Sequence, residues 1–531
     1  MANRRNPRRM RLAALSNGRI ESSSRARRTF PHQLTPPPPS AYGATPSRPR
    51  SERAIPAADS PLIKEAGRHV QPGFVTPDNI AMLTDLYELT MAASYHEHRP
   101  DDRATFDLFV RKLPPHRSYL VFAGLEQAMF YLMHLSFSPD AIRYLRAMRL
   151  FPSSFLSYLK TVRFRGDIDA MPEGTVFFPH EPVLRVTGNI IEAQIVETLL
   201  LNTINLQSLI ATKASRVVDA AAGRSVVEFG LRRAQGTDAG LKGARAAYLA
   251  GCAGTSNVLA GQLFGIPIFG TMAHSFVQSF PSELEAFRAF AKTFPSGTTL
   301  LIDTYDDVEG AQHAAIVARE LARHGHRLGG VRLDSGDLIA VSRLVRRILD
   351  AQKLRDVTIL ASGNLTEYRI QEIVRRRAPI DAFGVGTELS VSADAPSLDI
   401  VYKLSEVVCG GTSMPTLKLS AGKQTYPGRK QVYRLERGQQ FVGDILALNH
   451  EPVAGHPLLK PVMRKGRLVG PLPSLSSIRR HAAAERMRLP FKLRRLDEAS
   501  LYPVLISPGL RRAARECRRR LLTGVGEPVE P

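Results

Sequence analysis

Between residues 215 and 400, short apolar runs recur and each stops at a polar cluster. The stops are Glu228-Phe229-Gly230-Leu231-Arg232, Gly270-Thr271-Met272-Ala273-His274, Asp303-Thr304-Tyr305-Asp306, Arg332-Leu333-Asp334-Ser335-Gly336-Asp337, Ser362-Gly363-Asn364 and Gly384-Val385-Gly386-Thr387. From Asp303 to Asp334, Asp334 to Ser362 and Ser362 to Gly386 the steps are 31, 28 and 24 residues. Each step has room for one strand, one crossover helix and two short loops. The pattern predicts parallel βα units in an irregular, incomplete βα barrel, with the polar clusters on its carboxyl-terminal rim.

Upstream, residues 81–95 place Leu86, Leu89 and Ala93 on one helical face, with Thr84 or Asp85 as cap. Residues 104–110 alternate as a strand, 124–135 read as a helix, and 190–204 as a long apolar helix in the core. Residues 176–186, broken by Pro179 and Pro182, read as paired short strands. Beyond the βα region, 416–420 and 430–434 read as strands returning to the first domain's sheet, and 478–487 and 510–522 as helices. The expected fold class is α/β. Its parts are a disordered basic extension over 1–75, an α/β layered domain over 76–214, the βα barrel over 215–400, returning strands over 401–460 and a basic extension over 461–531.

Charge changes this picture only at the ends. The formal net charge is +23, but residues 1–70 and 461–531 each carry an excess of ten, leaving +3 on the middle 390 residues. The basicity therefore belongs to the tails, which read as solvated and disordered. They could hold a polyanion electrostatically and without sequence preference, so a nucleic-acid-binding protein is the competing class. The near-neutral centre argues against a specific nucleic-acid partner. Three cysteines, Cys252, Cys409 and Cys517, form no CxxC pair and no metal-ligand spacing. Free thiols in a reducing, cytoplasmic setting are the expectation. No run of about 18 uncharged apolar residues predicts a membrane span. The amino terminus is Arg- and Ser-rich like an organellar transit peptide, yet Pro36 to Pro39 oppose the amphipathic helix such a peptide needs. A start placed too far upstream explains the segment equally well.

Taken singly, each cluster has a plain structural reading beside a chemical one. Arg332 can bind a carboxylate or phosphate while Asp334 and Asp337 hold Mg²⁺, or all three can be a surface loop of local ion pairs. Gly384-Val385-Gly386-Thr387 can present backbone N–H groups to a phosphate, or simply turn from strand to helix. Phe229 can stack on an aromatic ring or fill the core. His274 can be a nucleophile, a base or a capped core histidine.

Together the motifs resemble the nicotinate phosphoribosyltransferase family, from about residue 79 to residue 434. The resemblance rests on Leu83-Thr-Asp-Leu-Tyr-Glu-Leu-Thr-Met91, Phe109-Val-Arg-Lys-Leu-Pro-Pro115 and Phe229-Gly-Leu-Arg-Arg-Ala-Gln-Gly236. It continues in Gly254-Thr-Ser-Asn-Val-Leu-Ala-Gly261, Gly270-Thr-Met-Ala-His-Ser275 and Gly330-Val-Arg-Leu-Asp-Ser-Gly-Asp337. Neither tail carries a matching motif. What the resemblance implies is a homodimer with its active site at the subunit boundary. The implied reaction is ATP-coupled transfer of 5-phosphoribosyl from its 1-diphosphate donor to nicotinate. The products are nicotinate mononucleotide and pyrophosphate, in NAD salvage.

The resemblance also implies residue roles. Arg232, with Mg²⁺, meets the donor's phosphates. Phe229 and Tyr87 flank the pyridine ring, with Asp85 and Tyr87 brought in from the partner subunit. Arg332 lies near the pyridine substituent, Thr271 is a further substrate-binding residue, and Asp334 is the ribose- or metal-side carboxylate. Gly386 and Thr387 hold the 5-phosphate, helped by Ser362 and Gly363. His274 is the histidine phosphorylated from ATP, the co-substrate. The metal ligands themselves are not assigned. Related nicotinamide enzymes carry an Asp where this chain has Ser256. A neutral Ser256 admits a carboxylate that an Asp would repel, which favours nicotinate over the alternative, nicotinamide.

Overall fold

Apart from 270–274, which follows only an isolated bridge at Ile268, the polar clusters stand at the carboxyl ends of strands in a sheet of six parallel strands. In spatial order the strands are Gly254–Thr255, Ser225–Glu228, Ala382–Val385, Thr358–Ala361, Gly330–Leu333 and Thr299–Leu301. The registers are parallel throughout, with Leu360 opposite Arg332 and Val385 opposite Glu228. The middles of the strands, including Val226, Val227, Phe383, Ile359, Val331 and Leu300, are buried and apolar, as in parallel strands covered on both faces. Helices Thr237–Leu249, Asp307–Arg323, Leu338–Ala351 and Glu367–Arg375 make the crossovers. Asp306 and Asp337 accept hydrogen bonds from the first backbone N–H groups of two of them. Asp337 is thus a helix cap. Among the described residues the sheet is open: Thr255 adds only an isolated bridge to Ile268, and Thr299–Leu301 pairs on one side.

The computed structural model describes residues 75–420 and 425–523. The expected disordered extension over 1–75 therefore lies outside them, apart from Val75. Ahead of the parallel sheet, Arg103–Val110 pairs antiparallel with Leu184–Asn189 on one side and Ile400–Cys409 on the other. This seven-stranded sheet is completed by Thr412–Pro415, Asp167–Ala170, Lys460–Arg464 and Arg467–Leu468. Leu125–His134 and the long Glu197–Ala220 helix cover it. The Ile190–Ala220 stretch has the length and mean hydropathy, 1.2, of a membrane-crossing helix, but 72% of its most apolar window is buried inside the fold. It is a core helix carrying Lys213 and Arg216 among its buried residues. Lys213 and Arg216 both pair with the buried Glu367, and Lys213 and Arg117 pair with Asp394. This ion cluster fixes the segment that follows Thr387 to the core helix. Burial opposes ionisation of Asp394, but hydrogen bonds from Arg117 and Lys213 prevail and hold its carboxyl well below the usual carboxylate range.

Three expectations are corrected. The segment returning to the first sheet is Ile400–Cys409 with Thr412–Pro415, whereas 416–420 is not a strand. Lys430–Arg437 instead builds a separate four-stranded sheet with Gln440–Leu448, His456–Pro457 and Val504–Ile506. Within 176–186 the strands do not pair with each other, since Val176–Phe177 pairs with Leu120–Val121. Finally, 461–523 is not a disordered tail. Lys460–Arg464 joins the large sheet, and Leu475–Arg488 packs on the parallel-sheet layer through Ile478, Ala482 and Arg479. Arg434 ties this segment down through Asp444 and Glu485, all three buried. A basic composition is compatible with order here because many cations reach buried carboxylates or carbonyls.

Candidate active site

Arg332 leaves the end of the Gly330–Leu333 strand and links that end to the end of Thr358–Ala361 and to residues 271–272. Its Nε donates to Ser362 Oγ at 2.9 Å, and Nη1 donates to Thr271 Oγ1 at 3.0 Å and to the Met272 carbonyl at 3.2 Å. Nη2 donates to Asp334 Oδ1 at 2.9 Å. Four of the five guanidinium N–H groups are therefore used, and one on Nη2 remains for a ligand. Ser362 also donates to Asp334 Oδ1. Burial alone would raise the Asp334 pKa. The Ser362 and Arg332 hydrogen bonds, with the Arg332 and His274 charges, overcome that and hold it below the ordinary value.

Asp303, at the end of the neighbouring strand, accepts through Oδ2 from the Asp334 N–H at 2.8 Å and from Ser335 Oγ at 2.7 Å. Its Oδ1 is buried without a protein partner. His274 opens the short helix His274–Gln278 and is partly exposed. Its Nδ1 lies 3.1 Å from Thr304 Oγ1, and its Nε2 lies 3.9 Å from Asp334 Oδ2. Gly363 has φ +86°, and a Cβ there would sit 1.9 Å from the Asp334 carbonyl oxygen. Only glycine lets this turn approach so closely.

Glu228 performs a similar linking role at the other edge. Its carboxylate accepts from the Gly230 N–H and, at 2.6 Å, from Thr255 Oγ1. Burial pushes its pKa up against those two hydrogen bonds. The turn after it carries Phe229, whose ring lies 2.5 Å from where a Gly384 Cβ would be. Phe229 N donates to the Val385 carbonyl, and Ser256 N donates to the Glu228 carbonyl. Arg232 sits exposed on the Leu231–Arg233 turn, with no side-chain hydrogen bond or ion pair among the described residues. Gly386 precedes Thr387, which starts a four-residue helix and is exposed.

The structure thus gathers Thr271, His274, Arg332, Asp334, Ser362 and Gly363 into one bonded cluster. Phe229, Arg232, Ser256, Gly386 and Thr387 lie at the ends of strands in the same sheet. Asp85 and Tyr87 are elsewhere, at the start of helix Leu86–His98 in the layered domain. Asp85 occupies the N-cap position, yet its Oδ2 accepts from Thr198 Oγ1 at 2.6 Å rather than capping the helix. Tyr87 is 46% exposed and bonds Glu197. Burial, with the Glu197, Glu88 and Asp85 carboxylates, pushes the Tyr87 pKa far up, so the ring keeps its hydroxyl.

Sequence reasoning assigned no role to Asp303, Thr304 or Glu228, although all three were visible as strand-end residues. Their polar character directly after an apolar run was the available signal. No three His, Cys, Asp or Glu side chains converge as a metal cage among the described residues. The unpartnered Asp303 Oδ1 beside Asp334 does fit a cation that arrives on a substrate.

Comparisons with known proteins agree with this arrangement along most of the chain. Three family profiles match in order: the nicotinate phosphoribosyltransferase (NAPRTase) N-terminal domain over residues 82–205, the NAPRTase family over 224–441 and the C-terminal domain over 454–514. The last match places most of the supposed basic tail inside the family's pattern. Nicotinate phosphoribosyltransferase pncB2 of Mycobacterium tuberculosis is 50% identical over 432 residues, covering 80% of this chain and 91% of its own length. Nicotinate phosphoribosyltransferase of Bacillus subtilis is 37% identical over 461 residues, covering 81% and 93%. The crystal structure of human nicotinic acid phosphoribosyltransferase superposes with a TM-score of 0.74 at 31% identity, covering 82% of this chain and 99% of that one. The chain belongs to the nicotinate phosphoribosyltransferase family.

Proposed function

We propose that this chain transfers the 5-phosphoribosyl group of 5-phosphoribosyl 1-diphosphate to the ring nitrogen of nicotinate. The products are nicotinate mononucleotide and pyrophosphate, and the reaction serves NAD salvage. The observation that carries the reading is the Arg332 cluster. It holds an ionised Asp334 and a free Nη2 proton at one end of the sheet, with His274 against the same carboxylate. The open parallel sheet reads as the wall of an incomplete barrel whose rim is this site.

The pyridine nitrogen attacks the ribose C1 with its in-plane lone pair. The bond from C1 to the pyrophosphate oxygen breaks, and pyrophosphate leaves with those electrons. No general base is required, so positioning and charge stabilisation are the protein's contribution. Arg232 is free to meet the leaving pyrophosphate. Asp334 and Asp303 can accept from the ribose hydroxyls, and the free Arg332 N–H draws the nicotinate carboxylate. Gly386 and Thr387 can hold the 5-phosphate. Mg²⁺, carried in on the diphosphate, would neutralise its charge between Asp303 and Asp334.

Ser256 supports the choice of nicotinate, because its hydroxyl adds no charge next to the strand end that carries Phe229. Nicotinate is expected to exceed nicotinamide in kcat/KM by well over about tenfold, roughly 1.4 kcal/mol or more of discrimination. Ser256→Asp should erode that ratio. Competition kinetics on both proteins measure it, and an unchanged ratio in Ser256→Asp would remove Ser256 from substrate choice.

A second copy of the chain completes the site in this reading. Val258, Leu259 and Leu263 on helix Val258–Phe264, with Ile268 and Phe269, leave a contiguous apolar surface beside the rim. Leu83, Leu86 and Tyr87 leave another around Asp85. Two exposed apolar surfaces, each carrying proposed site residues, suit an isologous homodimer. Tyr87→Ala and Arg232→Ala chains should each be inactive alone and regain activity when mixed, since one of the two shared sites is then intact. Absence of recovery after verified subunit exchange would mean that each site is built from a single chain.

A further inference from the structure

A second cavity, of about 380 Å³, opens at the other end of the parallel sheet. Helix Glu367–Arg375 begins just after the Ser362-Gly363-Asn364 turn and runs back beside the strands, so Arg375 lies near their amino ends. The cavity is lined by Asp219, Gln371, Arg375, Phe491, Arg494 and Arg495, among others. It lies apart from His274, Asp334 and the rest of the rim.

Its polar groups are incompletely matched. Arg375 makes no hydrogen bond or ion pair among the described residues. Arg494 reaches only the Met487 sulfur, at 3.8 Å, and its Nε is buried without a partner. Arg495 is taken by Asp497 through two hydrogen bonds. Asp219 pairs through Oδ1 with Arg486 at 3.2 Å, while its Oδ2 is buried and unpaired. Three guanidinium groups, Arg375, Arg494 and Arg495, thus line the cavity with two carboxylates, Asp219 and Asp497, an excess of one positive charge. Phe491 lines the same cavity, is 72% exposed, and has the Arg494 guanidinium 5.9 Å from its ring centroid.

We propose that this cavity binds a nucleoside monophosphate. The phosphate dianion lies between Arg375 and Arg494, the two lining guanidinium groups that donate no hydrogen bond to a carboxylate among the described residues. The base stacks on the uncovered face of Phe491, where the guanidinium on one side and a flat heterocycle on the other suit an aromatic ring. Asp219 Oδ2 accepts from a ribose hydroxyl or an exocyclic amine, satisfying an acceptor that is costly to leave buried and unmade. A volume near 380 Å³ is in the range of small-ligand sites. Inorganic phosphate alone would leave both Phe491 and Asp219 unmet.

The chain contains no Trp, so Phe491→Trp places the only indole in the protein at this cavity and is blind to ligand at the rim. Titration of that variant with AMP should change its emission saturably. Adding Arg375→Ala should weaken the apparent affinity by at least about tenfold. Adenosine should bind far more weakly, and inorganic phosphate should not reproduce the full change. In parallel, equilibrium dialysis of labelled AMP should find one site fewer per chain in Arg375→Ala than in the unaltered protein, with basal transfer activity unchanged. No saturable signal up to about 10 mM AMP would overturn the proposal. So would equal affinity with and without Arg375, or a full response to inorganic phosphate alone.

Discussion

Arg332→Ala is expected to lower kcat/KM for nicotinate by about 10²–10³-fold, the scale seen when one preorganised donor is removed from a charge-stabilising site. The loss has two parts. The free Nη2 proton no longer meets the substrate carboxylate, and Asp334, Ser362 and residues 271–272 lose the group that holds them together. Arg332→Lys should rescue little, because one ammonium cannot span Ser362, Thr271, the Met272 carbonyl and Asp334 together.

The pH profile separates this account from a general loss of structure. In the unaltered protein the Asp334 pKa is depressed. The stability linked to its ionisation is fully present above the unfolded value, about 3.9, and is lost as pH falls through the lower folded value. Without Arg332, burial is opposed only by the Ser362 hydrogen bond and the His274 charge, so the Asp334 pKa should rise. The acid limb of the rate profile should then move to higher pH. Assays between about pH 4 and pH 8 on both proteins would show the shift. An unmoved acid limb would mean that Arg332 does not control Asp334.

His274→Ala should abolish an ATP-dependent, acid-labile and base-stable phosphate on the protein, together with any stimulation of transfer by ATP. Its Nδ1 is engaged with Thr304, which leaves Nε2 as the nitrogen open to the γ-phosphoryl group. In this proposal that nitrogen would take the phosphoryl group as the β–γ bond of ATP breaks and ADP leaves. The new negative charge would stand near Asp334, whose Oδ2 is 3.9 Å from Nε2 in the unmodified protein, and would reshape the donor site by repulsion. A slow, ATP-independent transfer should persist in His274→Ala, since the ring nitrogen's attack needs no histidine. Label remaining on the His274→Ala protein would place the phosphate elsewhere. Loss of both coupled and uncoupled transfer would make His274 a part of the transfer site itself.

The parallel sheet was legible because each strand ends in a local switch from apolar to polar, and that switch is written in consecutive residues. The cluster around Arg332 was legible for the same reason, since Asp334 and Ser362 are strand-end residues and Thr271 stands at a similar apolar-to-polar switch after the isolated bridge at Ile268. Which acids point inward was not. Asp337 lies three residues beyond Asp334 and caps a helix, whereas Asp303, about one unit upstream, supports the site. That choice depends on how the strands stagger, a non-local quantity.

The carboxyl-terminal region misled because composition was read without partners. Its Arg486 reaches half-buried Asp219, its Arg479 the carbonyls of residues 248, 251 and 252, and its Glu485 accepts from buried Arg434, none of which is near in sequence. The strands at 412–415 and 430–437 misled in another way. Alternation marked strands near both places, but nothing in a single strand says which sheet it joins. Asp85 and Tyr87 show the same limit at a larger scale, because the proposed neighbour of each is another copy of the chain.

The most direct test of the central claim is an assay of purified protein with labelled nicotinate or nicotinamide, 5-phosphoribosyl 1-diphosphate and Mg²⁺, with and without ATP. The account predicts nicotinate mononucleotide and pyrophosphate in equal amounts, stimulation by ATP, and at least about a tenfold preference for nicotinate in kcat/KM. Equal use of the two pyridines, or no mononucleotide from nicotinate under any of these conditions, would contradict it.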